Sequence, residues 1–453
     1  MIKSIYNKTP YIIFGILSLF SVSLIFSKTV WFDEAYTLSL IQQDFSKIIE
    51  ILKTDMHPPL YFISLKLFCN IFGYSIITSK IFSVLGYIGT LLIGCTIVRK
   101  HFGIQSSIIY MLTLGAIPMS LYFSTQQRSY SWCIFFVTLC FIEALIFITN
   151  GKTKHCIVFT VAGLLAAYNH IYALLAIGII FAFVLFYAFF KNKSQLKIIL
   201  ISYFGMVVGY SLWILPLLYQ TRDAANDFWL TSVEPLSLIV FIIGLAVSLA
   251  ILIKKSNRKL PIVFAIVSIM GIQFIGLFVT IFIRPLYIAR YSVVILGVFA
   301  LLIAIWSNNI GIKLKRVVCI LLCVLNIACL IGTAKFEYNP STTDFVDRFE
   351  ENISEADTFL YCDSSFGIMS YYYPDNKHIC SYSEPWFAAF SNVECIEKDS
   401  IIKEIQKDDT VWFVKNSLTK TPQYVKDDFD CKQVDSFLCD FNTFEVYSLT
   451  LKH

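Results

Sequence analysis

The chain has 453 residues, of which 57% are hydrophobic and only 15% are charged. Because soluble domains carry about 25% charged residues, this composition excludes an ordinary soluble protein and predicts a polytopic membrane protein. A net charge of +5 over this length is also not that of a nucleic-acid-binding protein.

Apolar stretches long enough to span a bilayer recur along the chain between short polar breaks. The run 156–190 is too long for one straight helix, and "AAYNHIY" interrupts it at Asn169–His170, so it is divided into two. The first stretch is predicted to be a retained helix, because no small-residue cleavage site follows it. Eleven transmembrane helices are therefore predicted, at 10–27, 80–98, 105–124, 132–149, 156–169, 172–190, 198–218, 236–253, 260–283, 291–307 and 317–334.

Basic residues alternate between the polar breaks. The N-terminus and the breaks that begin at residues 99, 150, 191, 254 and 313 contain sixteen Lys and Arg in total. The other short breaks contain four cations: Arg128, Arg222, Arg284 and Arg290. The positive-inside rule therefore predicts a cell-membrane protein whose N-terminus is cytoplasmic and whose second set of breaks lies outside.

One predicted outer loop, 28–79, is long and amphipathic. Its segments "DFSKIIEILKTD" and "PPLYFISLKLFCNIF" have helical periodicity with charges on one side. Such helices are typical of the membrane interface. The loop is therefore assigned to the predicted transmembrane domain, which covers residues 1–334.

The composition changes after about residue 335. Residues 335–453 are rich in Asp, Lys, Ser and Asn, and the runs "TFLYC", "TVWFV" and "FEVYSL" have the pattern of strands. We expect a soluble extracytoplasmic α/β or α+β domain at 335–453. Its segment "MSYYYP" (369–374) is typical of core packing, with an aromatic platform for a sugar as the alternative.

Two acidic or basic motifs lie in the long loop, where charges close to the membrane need a partner or a function. Asp33 and Glu34 occur in "WFDEAYTLSL", and His57 occurs in "DMHPPLYF". The carboxylates either cap an interfacial helix or face an outer cavity as active-site groups. His57 is either part of an interfacial turn or an imidazole held extended by the prolines that follow it.

Four further polar residues lie in the other outer breaks: Arg128 in "STQQRSYSW", His170 in "AAYNHIYAL", and Arg284 and Arg290 in "RPLYIARY". Each has a structural alternative, as a snorkelling arginine or a turn histidine. However, all are predicted on the same membrane face as the carboxylates. Because the guanidinium fork matches phosphate oxygens, this set indicates a lipid phosphate substrate and an acceptor that loses a proton.

The order "DEAY", "HPPLYF", "QRSY", "YNHIYALL" and "ARY" resembles the GT-C superfamily of polyprenyl-phosphate-sugar glycosyltransferases. It looks closest to the glycosyltransferase 39 and 83 type, which includes protein O-mannosyltransferases and lipid A aminoarabinose transferases. The resemblance covers about residues 10–310. It implies a GT-C type multi-helix fold, a long first outer loop with an acidic catalytic base, and an isoprenoid phosphate donor that bears one sugar.

The resemblance also implies roles for single residues. Asp33 corresponds to the base and Glu34 to its neighbour, and the two are the predicted catalytic residues. The predicted substrate-binding residues are His57, Arg128, Tyr130, His170, Arg284, Arg290 and Tyr291. Gln126 departs from the pattern, because many relatives have Glu at this position.

A divalent metal is not favoured, although Asp33, Glu34 and His57 have ligand chemistry. The predicted reaction is transfer of the sugar, with inversion, to an envelope glycan, lipid or protein on the outer face of the membrane. The alternatives are a transporter or flippase of lipid-linked glycans and a non-catalytic membrane scaffold. A transporter more often has matched halves with broken helices, and the sequence contains no internal repeat.

Overall fold

The computed structural model describes residues 2–227, 232–253, 258–382, 385–405 and 410–452. These residues form α-helices and one β-sheet. The first ten helices are α1 (Ile2–Val22), α2 (Phe32–Gln42), α3 (Phe45–Thr54), α4 (Leu60–Phe72), α5 (Ile76–Ile93), α6 (Arg99–Phe102), α7 (Ile104–Gly115), α8 (Pro118–Thr125), α9 (Tyr130–Asn150) and α10 (Thr153–Ala167).

The later helices are α11 (Ile171–Lys191), α12 (Leu196–Asp227), α13 (Pro235–Ile253), α14 (Lys259–Phe282), α15 (Leu296–Trp306), α16 (Ile312–Glu337), α17 (Ser341–Glu350), α18 (Ser365–Tyr372), α19 (Lys398–Glu404) and α20 (Gln423–Asp428). The strands are β1 (Thr358–Tyr361), β2 (Lys377–Cys380), β3 (Val393–Cys395), β4 (Val411–Asn416), β5 (Phe429–Cys439) and β6 (Asn442–Leu451).

The chain divides into two compact units. The first contains Met1–Ile25 and Met56–Thr333, and the second contains Phe26–Asp55 and Ala334–His453. The sequence predicts one boundary, at 334/335, and assigns the whole loop 28–79 to the membrane domain. The structure has a boundary at Thr333/Ala334, but it also divides the loop after Asp55, so that α2 and α3 belong to the second unit.

The first unit is helical and apolar. Among the described residues, eight helices are long and apolar enough to cross a membrane, or nine if the bent pair α7 and α8 forms one span. The pair bends by 71° at the break before Pro118, the first residue of α8. The predicted polytopic helical membrane fold is thus confirmed. Three of the eleven predicted stretches differ: 156–169 forms the shorter helix α10, 105–124 forms the bent pair α7 and α8, and 10–27 extends beyond α1, which ends at Val22.

The predicted division of the run 156–190 is also confirmed. Helix α10 ends at Ala167 and α11 begins at Ile171, on either side of Asn169–His170. His170 is the N-cap of α11, and its Nδ1 accepts the backbone N–H of Tyr172 at 3.1 Å. A side-chain acceptor at this position satisfies an amide that the helix start leaves without a partner.

Close packing of α5 against α9 positions the start of α9. A Cβ on Gly86 of α5 would lie 2.8 Å from the backbone nitrogen of Trp132, so the two backbones meet where no side chain intervenes. Small residues allow this approach between membrane helices. Trp132 is two residues after Tyr130, and the contact therefore fixes the turn that carries Arg128.

The second unit contains a six-stranded sheet, in the order β3-β2-β1-β4-β6-β5 among the described strands. Strands β3, β2, β1 and β4 are parallel, whereas β6 is antiparallel to both β4 and β5. The predicted runs "TFLYC", "TVWFV" and "FEVYSL" form parts of β1, β4 and β6. A largely parallel sheet with intervening helices is an α/β arrangement, one of the two predicted classes.

Candidate active site

Arg128 lies in the turn between α8 and α9 and is only 6% exposed. Its Nη2 is 2.6 Å from Nε2 of His57. A guanidinium group can only donate, so Nε2 of His57 is the acceptor and the proton of the neutral imidazole is on Nδ1. The turn is tied to α5, because Gln127 Nε2 donates to the hydroxyl of Ser79 at 3.2 Å.

His57 is held by the segment that follows it. Pro58 and Pro59 are buried, and the N–H of Leu60 donates to the carbonyl of Tyr168 at 3.0 Å. The imidazole also meets the ring of Phe62 edge to face, with 5.9 Å between the ring centroids. The "HPPL" segment therefore docks on the end of α10 and presents the imidazole to Arg128.

His170 is 8% exposed and lies near His57, Arg128 and Arg290. Burial, together with the nearby positive charges of Arg128 and Arg290, lowers the pKa of His170 to about 3. His170 is therefore neutral at physiological pH. Its Nδ1 accepts from α11, which leaves Nε2–H as a donor.

Aromatic rings surround these groups. The ring of His170 lies 5.6 Å from that of Tyr130 and 5.5 Å from that of Tyr291, and Tyr291 stacks on Tyr172 at 4.5 Å between centroids. The guanidinium carbon of Arg290 lies 5.8 Å from the centre of the Tyr291 ring, within cation–π range. We call His57, Arg128, His170 and Arg290 the arginine–histidine cluster.

The turn before Arg290 is held by a carboxylate that the sequence did not indicate. Glu234 Oε2 accepts the N–H of Ala289 at 2.6 Å and the hydroxyl of Ser237 at 2.7 Å. Tyr172 was missed as well, although it lies in the "YNHIYALL" motif; its hydroxyl donates to the carbonyl of Leu286 at 3.1 Å. Both contacts fix the backbone on which Arg290 sits.

A buried cation was also missed. Lys80 on α5 is fully buried, one residue from the Ser79 that receives the Gln127 amide. The sequence prediction counted Lys80 as the first residue of an apolar stretch. A lysine at the start of a predicted membrane helix is normally expected at the membrane interface, so the sequence did not indicate that Lys80 is buried.

The two acidic residues lie at the start of α2, in the second unit. Glu34 is 3% exposed, and its carboxylate accepts the N–H of Trp31, the N-cap residue, at a long 3.5 Å. This is the reciprocal half of a capping box, so the capping alternative applies to Glu34. Asp33 is half-buried, and its backbone carbonyl accepts the hydroxyl of Thr37 at 2.9 Å.

The structure thus brings six of the predicted residues together in the first unit: His57, Arg128, Tyr130, His170, Arg290 and Tyr291. Arg284 is half-buried just beyond α14, where its N–H donates to the carbonyl of Val279 at 2.8 Å. Its substrate-binding role, like the catalytic roles of Asp33 and Glu34, stays a prediction.

Comparison with solved structures places this architecture among known folds. The crystal structure of ArnT from Cupriavidus metallidurans in the apo state has a TM-score of 0.67 and 10% identity, and covers 97% of each chain. The same protein bound to undecaprenyl phosphate has a TM-score of 0.66 and 12% identity, and covers 97% of this chain and 98% of ArnT. The chain has the same fold as ArnT. No family model and no curated protein matches its sequence.

This shared fold agrees with the resemblance that the sequence motifs carry. At 10–12% identity, the comparison concerns the fold and leaves substrate and reaction to the residues of this chain. In the described ranges, no group of three or more His, Cys, Asp or Glu residues is arranged to hold a metal ion. The groups that characterise the site in the first unit are therefore guanidinium groups, neutral imidazoles and tyrosine rings.

The depressed pKa of His170 makes a prediction about stability. Between about pH 3 and pH 6.5 the unfolded chain binds a proton at this residue that the folded chain does not, so the free energy of unfolding rises with pH in this range. We expect the melting temperature in detergent to fall less from pH 7.5 to pH 5 in His170→Asn than in the wild type. Asn retains an N-cap acceptor but does not titrate.

The control for this comparison is His101→Asn, which removes an imidazole from the first unit away from the cluster. Equal acid sensitivity of the wild type and His170→Asn would contradict the prediction.

Proposed function

We propose that the chain is a membrane glycosyltransferase that moves a sugar from a polyprenyl-phosphate-linked donor to an acceptor hydroxyl or amine. The observation that carries the proposal is the arginine–histidine cluster within a chain that has the same fold as ArnT. Two guanidinium groups and two imidazole N–H groups are suited to a phosphate, which offers several acceptor oxygens and a negative charge.

Burial strengthens this chemistry. Arg128 and His170 are both less than a tenth exposed, and charge-assisted hydrogen bonds in such surroundings are about twice as strong as neutral ones. Because His170 is neutral, it adds a donor without adding to the repulsion between the guanidinium groups. The ArnT structure that contains undecaprenyl phosphate supports a lipid phosphate as the ligand.

We further propose that Asp33 is the general base. The acceptor oxygen or nitrogen attacks the anomeric carbon and forms the new bond, while its proton passes to the Asp33 carboxylate. The bond between the anomeric carbon and the phosphate oxygen breaks, and its electrons leave with the polyprenyl phosphate. Arg128 and Arg290 stabilise the charge on that group. One displacement predicts inversion at the anomeric carbon.

The positive-inside pattern supports a cell-membrane protein with a cytoplasmic N-terminus, so the reaction is proposed for the outer face of the membrane. The acceptor would then be an envelope glycan, lipid or protein. The long acidic loop and the C-terminal domain would be extracytoplasmic.

Lipid binding tests the first half of the proposal. Undecaprenyl phosphate should stabilise the detergent-purified chain, by about 2.7 kcal/mol at a hundredfold excess over Kd, whereas undecaprenol, which lacks the phosphate, should not. Equal stabilisation by both lipids would mean that the site recognises the isoprenoid chain and not the phosphate.

Sugar transfer tests the second half. The chain is incubated with synthetic polyprenyl phosphates that carry labelled hexose, pentose or aminopentose, together with a membrane-envelope extract as acceptor. Label should move to the extract and polyprenyl phosphate should be released. A flippase would instead carry the donor across a vesicle bilayer with the bond between sugar and phosphate intact, and that result would overturn the proposal.

A further inference from the structure

The segment that leads into the acidic helix α2 is held by residues from the C-terminal part of the second unit. The N–H of Val30 donates to the hydroxyl of Tyr372 at 2.9 Å, and this hydroxyl donates to the carbonyl of Lys28 at 3.3 Å. The thiol of Cys439, at the end of β5, lies 3.5 Å from the carbonyl of Val30. The backbone N–H and the carbonyl of Val30, which is fully buried, therefore both have a hydrogen-bond partner.

Two more contacts fix the same segment one residue and three residues before Val30. The hydroxyl of Ser27 donates to the carboxylate of Glu337 at 2.9 Å, and the hydroxyl of Thr29 lies 3.5 Å from the carbonyl of Asn339. The partners come from the end of α16 and from the turn after it. The polypeptide that enters α2 is thus attached at successive residues.

The first residue of α2 is then packed against helix α18. The Phe32 ring meets the rings of Phe366 and Phe390, with centroids 6.0 and 6.2 Å away. It also lies on Gly367, where an added Cβ would be 2.6 Å from the Phe32 Cε2 atom. Only a residue without a side chain leaves room for the ring beside Asp33.

The next turn of α2 also faces this part of the domain. Burial raises the pKa of Tyr371 to about 12, and the negative charge of Glu34 contributes to the increase. Tyr36, one turn after Phe32, donates to the Asp55 carboxylate at 2.5 Å, which ties α2 to the end of α3. Contacts therefore hold α2 at residues on both sides of Asp33.

We infer that the C-terminal domain positions the catalytic carboxylate, with Tyr372 and Gly367 as the positioning residues that hold the start of α2. The inference rests on the proposed role of Asp33. Neither residue touches a reacting atom: Tyr372 acts through the backbone of Lys28 and Val30, and Gly367 acts through the space it leaves for Phe32.

Two variants test the inference. Gly367→Ala must displace the Phe32 ring, and Tyr372→Phe removes one hydroxyl and its two hydrogen bonds. The matched control is Gly332→Ala on α16, where an added Cβ meets nothing within 4 Å. Gly-to-Ala replacement in a helix is otherwise favourable, so any loss in Gly367→Ala reports the contact with Phe32 and not the helix propensity.

The first readout is independent of activity. Hydrogen–deuterium exchange of the chain in detergent should show amides 28–37 exchanging about fivefold to tenfold faster in Tyr372→Phe than in the wild type, as expected from the loss of one good and one long hydrogen bond. Gly332→Ala should leave these amides unchanged. Unchanged exchange in both Tyr372→Phe and Gly367→Ala would overturn the inference.

The second readout is kinetic. Both variants should lower kcat for sugar transfer about tenfold while the Kd for undecaprenyl phosphate stays within twofold of the wild type, because the arginine–histidine cluster is unaltered. If the two residues had a purely structural role, the variants would have a lower melting temperature, and kcat and lipid affinity would fall together. If the wild type transfers no sugar, the proposed function fails, and the exchange experiment alone still decides whether the domain holds α2.

Discussion

Replacing Asp33 by Asn is expected to lower kcat for sugar transfer by about 10²–10⁴-fold while the protein remains folded. The amide has nearly the shape of the carboxylate but cannot take the acceptor proton. The helix contact at this residue uses the backbone carbonyl, which accepts from Thr37, so it survives the change. The measurement is transfer of labelled sugar from a synthetic polyprenyl phosphate donor.

Two control variants sharpen this prediction. Asp44→Asn makes the same chemical change at an exposed carboxylate before α3 and should leave kcat unchanged. Glu34→Gln retains an oxygen that accepts the N–H of Trp31 and should lower kcat far less than Asp33→Asn. A loss in Glu34→Gln as large as in Asp33→Asn would assign chemistry to Glu34, and near-full turnover in Asp33→Asn would exclude Asp33 as the base.

Replacing Arg128 by Lys is expected to lower kcat/KM by about 10²–10³-fold and to weaken binding of undecaprenyl phosphate. Lys is a point charge on a flexible stem, and it cannot contact both the His57 imidazole and a phosphate through one planar fork. Because Arg128 is buried, water does not replace the lost donors. Isothermal titration calorimetry with undecaprenyl phosphate measures the loss of binding, and initial transfer rates measure the loss in kcat/KM.

The control is Arg316→Lys, which makes the same change at an exposed arginine of α16 and should be neutral. A second variant, His57→Gln, distinguishes the contribution of His57 from that of Arg128, since the amide oxygen of Gln still accepts a hydrogen bond from Arg128. We expect it to retain lipid binding better than Arg128→Lys. If Arg128→Lys bound undecaprenyl phosphate as tightly as the wild type, Arg128 would not be a phosphate ligand.

The sequence predicted the parts of the structure that depend on local patterns. The lengths of the apolar stretches and the polar interruption at Asn169–His170 located the helices of the first unit, because membrane helices must be continuous and apolar. The arginine–histidine cluster was also predictable. Buried charges need partners, and the predicted topology placed Arg128, His170 and Arg290 on the same membrane face.

The assignment of α2 and α3 to the second unit was not predictable. Hydrophobic periodicity shows that one face of a helix is buried but does not show which surface covers it, so "DFSKIIEILKTD" was assigned to the membrane interface. Glu234 was missed for a similar reason, since its partner is the backbone N–H of Ala289, which has no signature in the sequence. The tyrosines of "MSYYYP" gave no sign that Tyr372 binds the backbone at Val30.

The second unit is assembled from two pieces of chain, Phe26–Asp55 and Ala334–His453, that the membrane helices separate in the sequence. During translation at roughly 5–20 residues per second, the acidic helix therefore emerges some tens of seconds before the strands and helices that hold it. A nascent or truncated chain that lacks β5 has no Cys439 to bind Val30. If Asp33 has the proposed role, its carboxylate is held in place only after the segment Ala334–His453 has been synthesised, which delays sugar transfer relative to the emergence of α2.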